Sequence, residues 1–217
     1  MRQSISGERL TREKIVRVAI DVCEDASATF SLRRVASAVP CDPMSISHHF
    51  GSRAGLEQAM ASWIEDRVTP SAAAPTWRAA LTSLAREYRR VAQQYPRSFL
   101  LLQNFPYTGA ADHRHSETVH AALIDAGLRR EDVPTMTLGW FASVIGLIVA
   151  ELQGLVRPLT EAEAAEIEEL SDETFPHWRS LGGEYRRIDA DRVFEFVLTT
   201  LHEGIAAASG PDGGRSR

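Results

Sequence analysis

Between Ser31 and Arg53, small polar and basic side chains recur at spacings suited to hydrogen bonding with base edges and phosphates. Met44, Ser45, Ser47 and His48 fall on the outward side of one short predicted helix, with Ile46 and Phe50 inward. A methionine, small hydroxyls and an imidazole on an exposed helix can meet base edges and thymine methyls in a major groove. Arg33, Arg34 and Arg53 flank that helix, and a guanidinium holds phosphate through charge-assisted hydrogen bonds. Arg33 and Arg34 compete for one such position. Thr11 and Ser31 stand at predicted helix starts, where hydroxyls and backbone N–H groups face anions. His49 is either a further contact or a histidine packed beside Phe50.

These side chains need a rigid frame, and apolar periodicity supplies one. Leu32, Val35, Ala36 and Val39 share one face of a helix predicted over 32–38. Pro40-Cys-Asp-Pro43 breaks it; Asp42 can cap the next helix and Pro43 suits its first position. Two short helices around a tight turn make a helix-turn-helix, a shape sized for the major groove. A helix over 11–24 precedes it, carrying Ile15, Val18, Ala19 and Val22, and one over 52–68 follows with Leu56, Met60, Trp63 and Ile64 inward. Thr69 to Pro75 is a Pro/Ala linker. The predicted organisation is therefore a DNA-binding domain over 1–67, a second helical domain over 68–210 and a disordered tail over 211–217. In the second domain helices are expected over 76–95, stopped by Pro96; over 98–105, ended by Pro106; and over 116–126, closed by Gly127. Others are expected over 134–155, 175–181 (stopped by Gly182-Gly183) and 189–208, with a solvated, partly helical segment over 161–172. The fold class is all-α.

Charge confines any duplex contact to the first domain. The net charge of −5 resolves into nine basic and nine acidic residues over 1–67, and fifteen basic against twenty acidic over the remainder. Screening sets in at ~8 Å, so phosphates respond to the local arginines rather than to the total. Cys23 and Cys41 have no metal-ligand spacing, and a reducing compartment is expected. Met1 to Leu10 lacks the apolar stretch of a leader, and the apolar run Trp140 to Leu155 reads as too short and too polar to span a bilayer. The expected location is cytoplasmic, with no membrane partner. His113-Arg114-His115, with Glu117 and His120, invites a metal reading, but no Cys or Asp completes a tetrahedral set. A solvated loop is expected there, with no metal and no cofactor. The chain lacks a G-x-S-x-G elbow, an H-E-x-x-H pair, a phosphate loop and a dinucleotide glycine pattern, which argues against an enzyme. An all-helical enzyme, or a scaffold that has lost DNA binding, are the alternatives.

Residues 10–65 resemble the N-terminal domain of the TetR family of bacterial repressors. Ser31 stands for that pattern's Thr, Val35-Ala36 for Ile-Ala, Ile46 for Leu, His49-Phe50 for His-Phe and Arg53 for Lys. Pro40 replaces the turn glycine, and Ser47 replaces a tyrosine that grips a phosphate. Trp77 to Pro96, with Leu84-Ala-Arg-Glu-Tyr-Arg89 near its middle, and Phe194 to Gly204 are similar to the tetracycline-repressor-like ligand-binding domain. The resemblance implies a ligand-responsive repressor acting as a homodimer on a palindromic double-stranded operator. A single reading head is too small to bind tightly alone. It also implies that the helices over 140–155 and 189–208 pair across a two-fold axis through Phe141, Ile145, Ile148, Leu152, Phe194, Val197, Leu201 and Ile205. Burial of both helices inside one subunit is the other reading. Phe99, Leu102, Gln103, Asn104, Phe105, Tyr107, His113, Trp140, Ser143 and Val144, closed by Phe175 and Trp178, make a candidate site for a small, largely hydrophobic effector; ordinary core packing is the alternative.

Overall fold

Polar caps start the first four helices where the sequence places them. The Thr11 hydroxyl accepts from the Lys14 N–H at 3.2 Å and opens α1 (Arg12–Glu24). Ser31 accepts from the Arg34 N–H at 3.3 Å ahead of α2 (Leu32–Ala38). Asp42 accepts from the Met44 N–H at 2.7 Å at the head of α3 (Pro43–Phe50), and Ser52 from the Gly55 N–H at 3.0 Å before α4 (Arg53–Glu65). Each cap satisfies a backbone donor that the helix itself leaves orphaned, a contribution of about 1 kcal/mol. The computed structural model describes residues 10–39, 41–105 and 109–210; Pro40, Pro106, Tyr107 and the tail over 211–217 lie outside them. Among the described residues the elements are eleven α-helices and one 3-10 turn, without strand.

The chain divides into two compact units that interleave in sequence: Met1–Pro70 with Arg89–Ser116, and Ser71–Tyr88 with Glu117–Arg217. Compactness thus adds a later stretch to the N-terminal domain expected over 1–67. In the first unit Ile15, Ala19, Val35, Ile46, Leu56, Met60 and Ile64 are fully buried, so α1 to α4 share one core. Truncating any of its large members should cost about 2–5 kcal/mol. The helix expected to reach Val68 ends at Glu65, because Arg67 and Val68 turn back to the Ile64 and Glu65 carbonyls at 3.0 and 3.1 Å.

Proline plays the opposite part to the one expected at position 96. α5 (Trp77–Gln94) does end before it, but Pro96 then opens α6 (Pro96–Phe99), where a missing N–H costs nothing. The single helix expected over 98–105 is instead the end of α6 and a 3-10 turn over Leu100–Gln103. α7 (Ala110–Asp125) begins six residues earlier than expected, so His113-Arg114-His115 is helical and not a solvated loop. The reason is tertiary: His115 is buried and bonded at both ring nitrogens.

In the second unit Gly127 closes α7 at φ +91°, a conformation that favours glycine. α8 (Val133–Leu152), α9 (Glu161–Glu168), α10 (Pro176–Tyr185) and α11 (Ala190–Ala208) follow. α9 is a regular helix with a full capping box between Thr160 and Glu163, where the sequence suggested partial helix. α10 runs through Gly182 and Gly183 instead of stopping at them. A Cβ on Gly182 would stand 3.4 Å from Ile167 Cγ2, so glycine permits α10 to lie close on α9. α8 also corrects the bilayer estimate: its 20 residues are long and apolar enough, by length and composition, to cross a membrane. The estimate began at Trp140 and left out seven apolar or small residues upstream. Val133, Thr137, Trp140, Val144 and Ile148 of this helix are buried within the unit, which accounts for one of its apolar faces.

Candidate nucleic-acid interface

α3 separates its faces as a reading helix must. Ile46 and Phe50 are buried, whereas Met44 is 75% exposed, His48 is exposed, and Ser45 and Ser47 are half-buried. Gly51 terminates the helix at φ +75°, its N–H donating to the Ser47 carbonyl at 2.7 Å. The departure at Ser47 therefore leaves the helix intact. Arg12 clasps the far end: its guanidinium lies 4.4 Å from the centre of the Phe50 ring and donates to the His49 carbonyl. His49 is half-buried with its ring 6.3 Å from that of Phe50, the packed arrangement of its two alternatives. Arg12 was not singled out from sequence. Its neighbour Thr11 marks a helix start, but nothing local shows that the start of α1 meets the end of α3.

The three flanking arginines differ in what they already hold. Arg33 is exposed on α2. Arg53, at the first position of α4, is exposed, pairs with Glu57 at 2.7 Å and lies 5.4 Å from the Phe30 ring centre. Arg34 is committed to the α1–α2 connection: it pairs with Asp25 and donates to the Ala28 and Thr29 carbonyls at 2.9 and 3.4 Å. These bonds let Arg34 position the loop before Ser31, while Arg33 is the more exposed of the two candidates. The Thr11 and Ser31 hydroxyl oxygens accept from their own helix starts, so each O–H, with the neighbouring backbone N–H groups, can still donate to an anion.

Hydrogen bonds from Ser27, and then the Arg34 guanidinium, hold the Asp25 carboxyl down from its ordinary 3.8 to about 2. A depressed carboxyl stabilises the folded loop at every pH above its unfolded value, and the contribution disappears as pH falls through the folded one. The Asp25 carboxyl carbon should accordingly titrate near pH 2 by NMR. Ser27→Ala and Arg34→Ala should each raise that midpoint. An unchanged midpoint in both variants would contradict the clamp.

Behind the reading head lies a buried ionisable pair that sequence inspection assigned to a loop. His115 Nδ1 is 2.8 Å from Glu65 Oε2 and its Nε2 is 3.0 Å from the Val68 carbonyl, with both side chains more than nine-tenths buried. The Asp112 carboxyl is pushed up by burial and then by the charge of Glu65. His113 lies exposed on the same helix with its Nδ1 2.6 Å from the Gly109 carbonyl. Among the described residues no three potential ligands cluster around a metal position.

The remaining candidates divide between the units. Phe99 and Leu102 are buried in the first unit, where Gln103 and Asn104 are exposed and Phe105 is half-buried. Trp140 and Val144 are buried in the second, and the half-buried Ser143 donates back to the Gly139 carbonyl at 2.8 Å. Tyr107 lies outside the described residues. Phe175 and Trp178 do not close a buried space: both are exposed at α10, where Trp178 stacks on Tyr185 with ring centres 5.0 Å apart. Of the pairing residues, Ile148, Phe194 and Ile205 are buried inside the subunit and so belong to its own core, a second correction. Phe141, Ile145, Leu152, Val197 and Leu201 are half-buried. Leu138 and Phe196, 60% and 73% exposed, are outward apolar groups on α8 and α11 that were not singled out from sequence. Helical periodicity identifies an apolar face without saying which of two apolar faces turns inward.

Known proteins match this architecture. Residues 69–209 match the family described as "Tetracyclin repressor-like, C-terminal domain". An HTH-type transcriptional regulator of Saccharopolyspora erythraea is 29% identical over 152 residues, which are 69% of this chain; the match spans 64% of that relative's length. Apo ActR from Streptomyces coelicolor superposes with a TM-score of 0.81 at 20% identity, over 94% of this chain and 100% of that one. ActR in complex with actinorhodin superposes at 0.79 with the same identity and the same coverage of both chains. The likeness at 20% identity establishes a common fold. With two thirds of the sequence matching the family and an outward-facing helix-turn-helix ahead of it, the chain belongs to the TetR family of transcriptional regulators.

Proposed function

We propose that this protein is a homodimeric, cytoplasmic DNA-binding repressor that a small, largely hydrophobic effector releases from a palindromic operator. One observation carries the DNA-binding part. The exposed face of α3 presents Met44, Ser45 and His48 with no carboxylate beyond the capping Asp42, and Arg33 and Arg53 flank it. Met44, Ser45, Ser47 and His48 read bases; Arg33, Arg53 and the helix starts at Thr11 and Ser31 hold phosphates. A head of this size reaches useful affinity when two copies engage two half-sites. The effector part is supported by ActR, which has been solved with (S)-DNPA and with actinorhodin. Effector contacts are proposed in the second unit, at Ser143 beside Trp140 and Val144.

A mobility-shift titration on DNA flanking the gene, over a range of salt, tests the proposal. Retardation that weakens steeply with salt is expected; no retardation of any flanking segment at low salt overturns it. Arg53→Ala should weaken binding to all sequences alike and reduce the salt slope by about 1 per half-site. A loss confined to one operator sequence would move Arg53 from phosphate holding to base reading.

A further inference from the structure

Among the described residues of the second unit, three buried side-chain atoms have no hydrogen-bond partner within the protein: Thr137 Oγ1 and Trp140 Nε1 on α8, and His202 Nε2 on α11. A buried polar atom in this state is uncommon, because it forfeits its bonds to water and gains none in return. Thr137 is unusual in a second way. Ser143, Thr199 and Thr200 on the same two helices return their hydroxyls to the carbonyl four residues back at 2.8 to 2.9 Å, and Thr137 does not. Thr137 and Trp140 stand three residues apart, on neighbouring turns of one buried face of α8. Aromatic rings adjoin them. Phe141 packs edge-on against Trp140, with ring centres 5.1 Å apart, and against Tyr88 of α5 at 6.2 Å.

We infer that Thr137 and Trp140 form the polar end of the effector site, and that this site takes a neutral aromatic molecule carrying an acceptor oxygen, such as a ketone. The inference rests on the effector site of the proposed function, beside Trp140 and Val144, and names what that site selects. Each attribute of the ligand has its own reason. An indole N–H donates and cannot accept, so its partner must present a lone pair. A carbonyl oxygen has two, and the Thr137 hydroxyl can donate to the second. Neutrality follows from the surroundings. Among the described residues the second unit buries no acid, lysine or arginine. Burial, and then the charge of Arg78, pushes the His202 pKa down, so no buried cation stands ready to pair with an anion. Aromaticity follows from the Trp140 and Phe141 rings, which favour stacked or edge-on ring partners.

Fluorenone and fluorene supply the test, as rigid aromatic probes of nearly equal size of which only the first has a carbonyl. Each is titrated into the full chain labelled with nitrogen-15, and the tryptophan indole signals are followed by NMR. The Trp140 signal is identified by its loss in Trp140→Phe. Fluorenone should bind at least ~10-fold more tightly than fluorene and move the Trp140 indole proton downfield, a displacement that fluorene should not produce. Thr137→Val keeps the shape and removes the hydroxyl; it should cut the preference at least ~3-fold without changing fluorene binding. The preference itself is read in the wild type, so it does not depend on how either variant folds. Equal binding of the two probes, with the Trp140 signal moving alike for both, overturns the inference and leaves a hydrophobic effector site standing. Binding of neither probe overturns the inference together with the placement of the effector at Trp140. An indole proton that exchanges magnetisation with water and is unmoved by fluorenone identifies a buried water as its partner, which also overturns it. Loss of DNA retardation alone leaves the inference untouched.

Discussion

Ser45→Glu should lower operator affinity at least ~30-fold while leaving the fold as stable as the wild type or slightly more so. The two effects separate because Ser45 is the third residue of α3, one turn from the Asp42 cap. A carboxylate in the first turn of a helix interacts favourably with the unpaired N–H groups there, by about 0.3–1 kcal/mol. The same carboxylate faces the phosphates of a bound duplex and replaces a small hydroxyl that suits a base edge. Losing about 1–3 kcal/mol per half-site and doubling it across a two-fold operator gives a reduction of ~30-fold to more than 10⁴-fold. Fluorescence anisotropy with a labelled operator measures the first effect and thermal melting the second. Unchanged affinity would remove α3 as the reading element. A drop in melting temperature as large as the loss of binding would show damage to the fold instead.

His115→Leu should be the most destabilising single replacement of a polar residue in the first unit, costing about 3–5 kcal/mol. The replacement leaves the Glu65 carboxylate buried without the imidazole that stands 2.8 Å away, and removes the ring nitrogen bonded to the Val68 carbonyl. Glu65 is the last residue of α4, which carries Arg53 at its other end, so loosening this pair frees the base of the helix that follows the reading head. Removing both polar side chains is the informative control. Glu65→Leu combined with His115→Leu should recover most of the lost stability, since replacing a buried pair with apolar groups is often neutral. Denaturant unfolding of the wild type, the two single variants and the double variant yields the coupling energy directly. A double variant as unstable as the sum of the singles would mean that the two side chains act independently despite their contact.

The helix-turn-helix was legible because its determinants are local. Thr11, Ser31 and Asp42 cap helices within three residues of themselves, and Val35, Ile46 and Leu56 lie at helical spacing; all of these occupy the expected places. Proline and glycine were less reliable guides. Pro96 opens a helix and Gly182-Gly183 sit inside one, because a neighbouring segment, here Ile167 against Gly182, decides whether a small residue ends a helix or lets it approach. The charged candidates divided along the same line. Met44 and His48 needed only the periodicity of α3 to be placed outward. The commitment of Arg34 to Asp25, nine residues away, and of His115 to Glu65, fifty residues away, depends on chain segments meeting in space. The outward face of α11 shows the limit most plainly. Phe194 and Phe196 stand two positions apart with identical side chains, yet one is fully buried and the other 73% exposed. Periodicity within one helix is a property of the backbone and can be read along the chain. Which face meets the core, and which ionisable group finds a partner, are set by packing against residues that the local sequence does not contain.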